Sequence, residues 1–291
     1  MTASSRPALV EGLNSLAENY DLILCDVWGV LHNGVKAYEA AGDALTRFRA
    51  KGGRVVLVSN APRPGASVGT QLDSFKVPRT AYDAIVTSGD LTRLAIEERI
   101  GQIVNHIGPP RDMPIYNGLD VRFGSIEEAD YVVCSGFDDD EHETVENYRG
   151  RLEAMLRRNL LMVCANPDLI VERGHMILPC AGALALAYEE MGGAVFYAGK
   201  PHAPVYEKAL AVASDLNHRS IPKNRVLAVG DAIRTDIAGA AGFGIDSLMI
   251  ARGIHARELG LHEGGLVSDH VQDWVDRQPV MPTAIMDVLA W

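Results

Sequence analysis

Leu22-Ile23-Leu24-Cys25-Asp26-Val27-Trp28-Gly29-Val30 opens with four apolar residues in a row, stops at a carboxylate and soon meets a glycine. An apolar run of this length, closed by turn residues, is the pattern of a short strand buried on both faces, as in a parallel sheet. In open α/β sheets the carboxyl end of such a strand is where groups are presented to ligands. Taken alone, an aspartate there serves equally as a turn residue or a helix cap. Three later stretches lift it above that: Val58-Ser59-Asn60, Gly199-Lys200-Pro201, and Gly230-Asp231-Ala232-Ile233-Arg234-Thr235-Asp236.

On either side of this strand the chain alternates. Residues 7–19 carry apolar residues at helical spacing and predict a short helix. Residues 38–51 predict an amphipathic helix, stopped by Gly52-Gly53. Val55-Val56-Leu57-Val58 is a second buried strand, so strand, helix and strand fit within about 35 residues, a βαβ unit with parallel strands. Helices at 65–75 and 90–99 flank a strand at Ile85-Val86-Thr87. Near Gly101 the texture changes: Gly108-Pro109-Pro110 and Asn117-Gly118 break the chain, and acidic clusters follow at Glu127-Glu128 and Asp138 to Glu141. Strands at 131–134 and 160–164 flank a helix at 143–158. An alanine-rich helix at 182–192 precedes three more strands, at 195–197, 226–229 and 247–249. The tail beyond 265 predicts only a packed C-terminal segment. The fold class is therefore α/β, a Rossmann-like doubly wound parallel sheet formed by 1–100 and 179–291, with a smaller α/β unit, 101–178, between them.

Composition excludes several classes. The 291 residues are 47% hydrophobic and 22% charged, ordinary for a globular protein. The net charge of −11 argues against nucleic acid or an anionic membrane as partner. No apolar run approaches the roughly 18 residues a membrane span needs, and residues 1–7 lack the apolar core of a signal peptide. Cys25, Cys134, Cys164 and Cys180 form no CxxC and sit mostly in apolar runs, as buried small hydrophobes do, so a reducing cytoplasm is expected.

If the strands are parallel, Asp26, Ser59 and Asp231 emerge at one sheet edge. Two carboxylates converging there repel unless a cation lies between them, which is how Mg²⁺ is commonly held: few carboxylates, several waters. Asp236, five residues after Asp231, either orders water around such an ion or is a first-turn acid favoured by the helix dipole. Ser59 and the amides after it offer donors to an anion, or cap the next helix. Lys200 is either an exposed lysine or the cation that balances these carboxylates and a phosphate.

The four stretches, in this order, resemble the haloacid dehalogenase-like hydrolase superfamily, and within it the capped phosphatases related to N-acetylglucosamine-phosphate phosphatase and pyridoxal phosphatase. Gly-Asp-Ala-Ile-Arg-Thr-Asp-Ile at 230–237 and Gly-Lys-Pro at 199–201 carry the likeness most specifically. The resemblance implies Asp26 as a nucleophile forming an aspartyl-phosphate, with Ser59, Asn60 and Ala61 binding phosphoryl oxygens. Lys200 would neutralise nucleophile and phosphate. Asp26, the Trp28 backbone carbonyl and Asp231 would hold Mg²⁺, with Asp236 acting through water, and Asn166 and Asp168 would lie on a cap loop presented to substrate. A small phosphorylated metabolite is the implied partner, in a monomer or a homodimer.

One position departs from the pattern. These phosphatases usually carry a second aspartate two residues after the nucleophile, which protonates the leaving oxygen. Here that residue is Trp28, and an indole can serve as neither acid nor base, a loss typically worth roughly 10²–10⁴-fold. His32 either replaces it or is a solvated loop histidine. Two other readings stay open: a carbon–halogen hydrolase, whose chemistry needs no acid and no metal, and a weakly catalytic phosphometabolite-binding protein. The two aspartates at 231 and 236 favour phosphoryl transfer.

Overall fold

The computed structural model describes residues 6–173, 176–261, 266 and 268–291. Residues 1–5, the start of the stretch read as lacking a signal peptide, and residues 265 and 267 of the tail lie outside that set. The chain runs through β1 (Ala8–Leu9), β2 (Leu22–Cys25), α1 (Glu39–Ala50), β3 (Arg54–Ser59), α2 (Gly65–Ser74), β4 (Ala84–Thr87) and α3 (Ser88–Glu97). It continues with β5 (Ile103–Ile107), β6 (Arg122–Phe123), β7 (Tyr131–Cys134), α4 (Val145–Arg157), β8 (Leu161–Cys164), β9 (Ile170–Arg173), β10 (Met176–Pro179), α5 (Ala181–Glu190) and β11 (Val195–Tyr197). The remainder is α6 (Ala203–Asn217), β12 (Val226–Gly230), α7 (Ala238–Phe243), β13 (Asp246–Ile250), α8 (Ser268–Val275) and β14 (Ala284–Met286). Two compact units result: Met1–Val58 with Gly69–Ile85 and Tyr206–Trp291, and Ser59–Val68 with Val86–Val205.

In the first unit the described strands order as β1-β14-β13-β12-β2-β3-β4. Every pairing from β1 through β3 is parallel. All residues of β2 and β12 are buried, which is why they read as unbroken apolar runs rather than alternating ones. The helix expected over 7–19 is absent. Gly12 takes extended dihedrals there, leaving only short 3₁₀ turns at Leu13–Ser15 and Ala17–Asn19. The Ala8 and Val10 amides donate instead to the Thr283 and Ile285 carbonyls, so pairing with a strand from the far end of the chain overrides local periodicity. That strand, β14, and α8 were invisible in the tail's composition.

The second unit holds a sheet in the order β11-β8-β7-β5-β6, parallel throughout. Its central strand alternates by the pleat. Val132 and Cys134 join Tyr148, Leu152, Leu184 and Tyr188 of α4 and α5 on one face, and Tyr131 and Val133 join Ala95 and Ile96 of α3 on the other. β9 and β10 form a separate antiparallel hairpin. The sheet extends past residue 178, where the sequence placed a boundary, because β11 pairs with β8 rather than with the larger sheet. All four cysteines are buried and none is in a disulfide.

Burial pushes the His106 imidazole of β5 down to about 4, even though Asp138 nearby pulls it up; its ordinary value is about 6.5. Between these two values the unfolded chain binds the proton and the folded chain does not. Stability present above pH 6.5 is therefore lost as pH falls toward 4. Denaturant titrations at pH 7 and pH 4.5 are expected to show a drop in unfolding free energy that is smaller, by up to about 2 kcal/mol, in His106→Phe than in wild type. Identical drops would show that this imidazole does not set the acid side of the stability curve.

Candidate active site

Asp26 follows β2 directly and Asp231 follows β12. The two strands are neighbours, with Cys25 opposite Val229, and the Asp26 amide donates to the Val229 carbonyl at 2.8 Å. From here the chain leaves in opposite directions, β2 toward β3 and β12 toward β13. Such a reversal opens a crevice at the carboxyl ends of the two strands, the usual ligand position in this architecture.

Asp236 is brought back to the same edge by a π turn, Ile233–Ile237, in which the Ile237 amide reaches the Ala232 carbonyl at 3.2 Å. The wider turn suits the five-residue step from Asp231, and single π turns recur at functional sites. Asp236 Oδ2 accepts the Ala232 amide at 3.1 Å. A Cβ at Gly230 would lie 2.1 Å from Asp236 Cγ, so only glycine lets that carboxylate close over the strand end. Gly29, at φ +80°, does the same for Asp231: a Cβ there would stand 2.0 Å from Oδ2.

One carboxylate oxygen from each of Asp26, Asp231 and Asp236 lies within 4.8 Å of the others, and the three residues are only 8, 6 and 3% exposed. Three buried carboxylates at this spacing are electrostatically costly without a cation among them. Oxygen-only donors suit a hard divalent ion such as Mg²⁺, which usually keeps several of its waters. The residues present thus fit the metal that the sequence implied.

Trp28 lies two residues beyond Asp26, with its ring against Gly34 and edge-on to His32 at a centroid distance of 4.9 Å. His32 is not a solvated loop residue. It is fully buried because its loop folds back, bridging to both Trp28 and Ala37, and turns the ring inward against Phe75. Its Nδ1 accepts the Gly34 amide at 3.0 Å, so that nitrogen carries no proton to donate.

Within the second unit, Asn60 ties together two of the other candidates. Its Nδ2 donates to Asp168 Oδ1 at 2.9 Å and to the Lys200 carbonyl at 3.1 Å, while its Oδ1 accepts the Lys200 amide at 2.8 Å and the Ser88 hydroxyl at 3.3 Å. Both donors and both acceptor positions of the carboxamide are thereby taken. Ser59 Oγ accepts the Ala61 amide at 3.2 Å, and Asn166 Oδ1 accepts the Asp168 amide at 3.0 Å. Lys200 is 3% exposed, in the loop after β11, where His202 stacks on Tyr197 and is pushed down in pKa by burial. Ser88 escaped the sequence reading. Its signal was the Thr87-x-x-Asp90 capping box that starts α3.

The chain is similar to known proteins over nearly its whole length. Residues 23–122 match the family model described as haloacid dehalogenase-like hydrolase, and residues 197–274 match a second, HAD-hydrolase-like. A solved hydrolase of the haloacid dehalogenase-like family from Brucella suis 1330 is 45% identical with a TM-score of 0.86, covering 97% of this chain and 100% of that one. The 5'-nucleotidase YutF of Bacillus subtilis is 27% identical over 83% of this chain and 91% of its own length. Glycerol-3-phosphate phosphatase of Gallus gallus is also 27% identical, over 96% of this chain and 93% of its own.

Proposed function

We propose that this chain, which belongs to the haloacid dehalogenase-like hydrolases, is a Mg²⁺-dependent phosphatase of a small phosphorylated metabolite, acting through an aspartyl-phosphate on Asp26. The observation that carries the reading is the convergence of Asp26, Asp231 and Asp236 at the strand ends. The named activities of the relatives, on a nucleotide and on glycerol 3-phosphate, point to the same class of substrate. Asp26, Asp231 and the Trp28 carbonyl would hold the metal, with Asp236 beside it. A bound Mg²⁺ would offset the charge of the phosphoryl group and the carboxylates. Asp26 attacks phosphorus and the leaving oxygen departs; water then hydrolyses the acyl phosphate and frees Asp26 and phosphate. Lys200 is assigned to charge balance, and the Ser59 hydroxyl with the Asn60 amide to the phosphoryl oxygens, while the Ala61 amide, which donates to Ser59 Oγ, orients that hydroxyl. Their chain order supports this, and so does the commitment of the Asn60 carboxamide, which leaves Asn60 its main chain for a ligand. Asn166 and Asp168 are assigned to the substrate's remaining part. The test is phosphate release from a panel of phosphomonoesters with Mg²⁺ and with excess chelator. Full phosphate release in chelator would overturn the metal assignment, and no release from any ester with Mg²⁺ would favour carbon–halogen hydrolysis.

Trp28 sets a preference among substrates. Without an acid at that position, expelling an alkoxide is slow, whereas a phenolate or carboxylate leaves without a proton. Wild type is expected to favour aryl and acyl phosphates. Trp28→Asp is expected to raise alkyl phosphate turnover about 10-fold, a fraction of the roughly 10²–10⁴ that a well-placed acid supplies, since the variant also loses the packing on His32 and Gly34. Rates measured on one aryl and one alkyl phosphate decide it. Equal wild-type rates, with both slowed in the variant, would mean that another group supplies the proton.

A further inference from the structure

Beyond the residues assigned so far, the segment Gly253-Ile254-His255, just after β13, braces the loop that carries two of the three carboxylates. A Cβ at Gly253 would come within 2.2 Å of Asp231, so the backbone passes directly against that side chain. The Ile254 amide donates to Asp231 Oδ2 at 2.8 Å. His255 Nε2 accepts the Ile233 amide at 3.3 Å. Ile233 is 1% exposed and opens the π turn, so its N–H is among the first-turn donors that find no partner within a helix. Buried, such a group needs an acceptor from elsewhere. His255 supplies it.

The histidine is itself oriented. With Nε2 accepting, its proton lies on Nδ1, which faces Glu258 Oε1 at 3.2 Å. Glu258 Oε2 in turn accepts the Trp274 indole N–H at 2.9 Å, and the Trp274 ring packs against the imidazole at 4.9 Å. Trp274 belongs to the buried cluster of Ile233, Ile237, Met249, Leu259 and Val271 that underlies the turn. A chain of contacts thus runs from α8 through Glu258 and His255 to the backbone between Asp231 and Asp236.

We propose that His255 is a positioning residue for the metal site. By accepting the Ile233 amide it holds the Asp231–Asp236 loop in the form in which both carboxylates point to one ion. This rests on the metal-dependent reading above and adds to it a residue that touches neither metal nor substrate. Groups that orient metal ligands typically change affinity or activity by about 10–100-fold when replaced.

The experiment is calorimetric titration of the purified protein with MgCl₂, beside kcat, KM and melting temperature in chelator. His255→Ala is expected to weaken Mg²⁺ about 10-fold and to lower kcat at subsaturating metal, with the melting temperature in chelator still showing a cooperative transition. His255→Gln, whose carboxamide oxygen reaches the level of Nε2, is expected to stay within about threefold of wild type, and His255→Asn, which stops at the level of Nδ1, to behave like alanine. The Gln and Asn pair keeps the test decisive should the alanine variant not fold. Wild-type affinity in His255→Asn, or equal weakening in Gln and Asn, would overturn the proposal. Asp231→Asn serves as the reference. If it too binds Mg²⁺ as wild type does, the metal reading fails and takes this proposal with it; if it alone is weakened, only the role of His255 fails.

Discussion

Asp26→Ala is expected to lose turnover by about 10⁴-fold or more, the scale seen when a covalent nucleophile is removed and only binding and electrostatics remain. Asp26 sits one residue beyond a fully buried strand, with its amide tied to the neighbouring strand, so its place is set by the sheet and not by its own side chain. The fold therefore survives the truncation. Removing one of three closely spaced carboxylates also removes repulsion, so the melting temperature in chelator should be equal to or above that of wild type. The check is phosphate release beside thermal unfolding. A variant that keeps its rate refutes Asp26 as nucleophile, and one that melts far below wild type in chelator refutes the account of the strand end as a rigid mount.

Asp231→Asn is expected to lower activity by roughly 10²–10³-fold, comparable to deleting a group that stabilises transition-state charge. An amide keeps the shape and can still accept the Ile254 N–H, but it lacks the charge that recruits a divalent ion. The loss should appear as a rise in the Mg²⁺ concentration needed for half-maximal rate, and as a smaller gain in melting temperature on adding MgCl₂ than wild type shows. A tenfold excess of metal should recover part of the rate. An unchanged Mg²⁺ response would place the ion, if any, away from Asp231.

Much of this protein is legible without coordinates, for a physical reason. Parallel strands covered on both faces are apolar through their buried span, so Leu22–Cys25, 55–58 and 226–229 show as runs in the chain itself. Each run stops where a polar group emerges, which marks Asp26, Ser59 and Asp231 as strand-end residues. The step to Asp236 and the glycines at 29 and 230 are local features as well.

Neighbours are not local, because an apolar run looks the same whichever strand it pairs with. Only the tertiary structure places β12 beside β2, which puts Asp231 next to Asp26, and only it joins β11 to the second sheet and draws a strand from residues 8–9. The same holds for side chains whose partners lie far along the chain. Three of the four hydrogen bonds of the Asn60 carboxamide go to groups more than 100 residues away, the His32 ring is buried against Phe75, and His255 caps a turn 22 residues before it. Periodicity records whether a residue faces a core or water; which atoms it meets there is decided by loop closure and strand pairing, and these act over distances the local pattern does not encode.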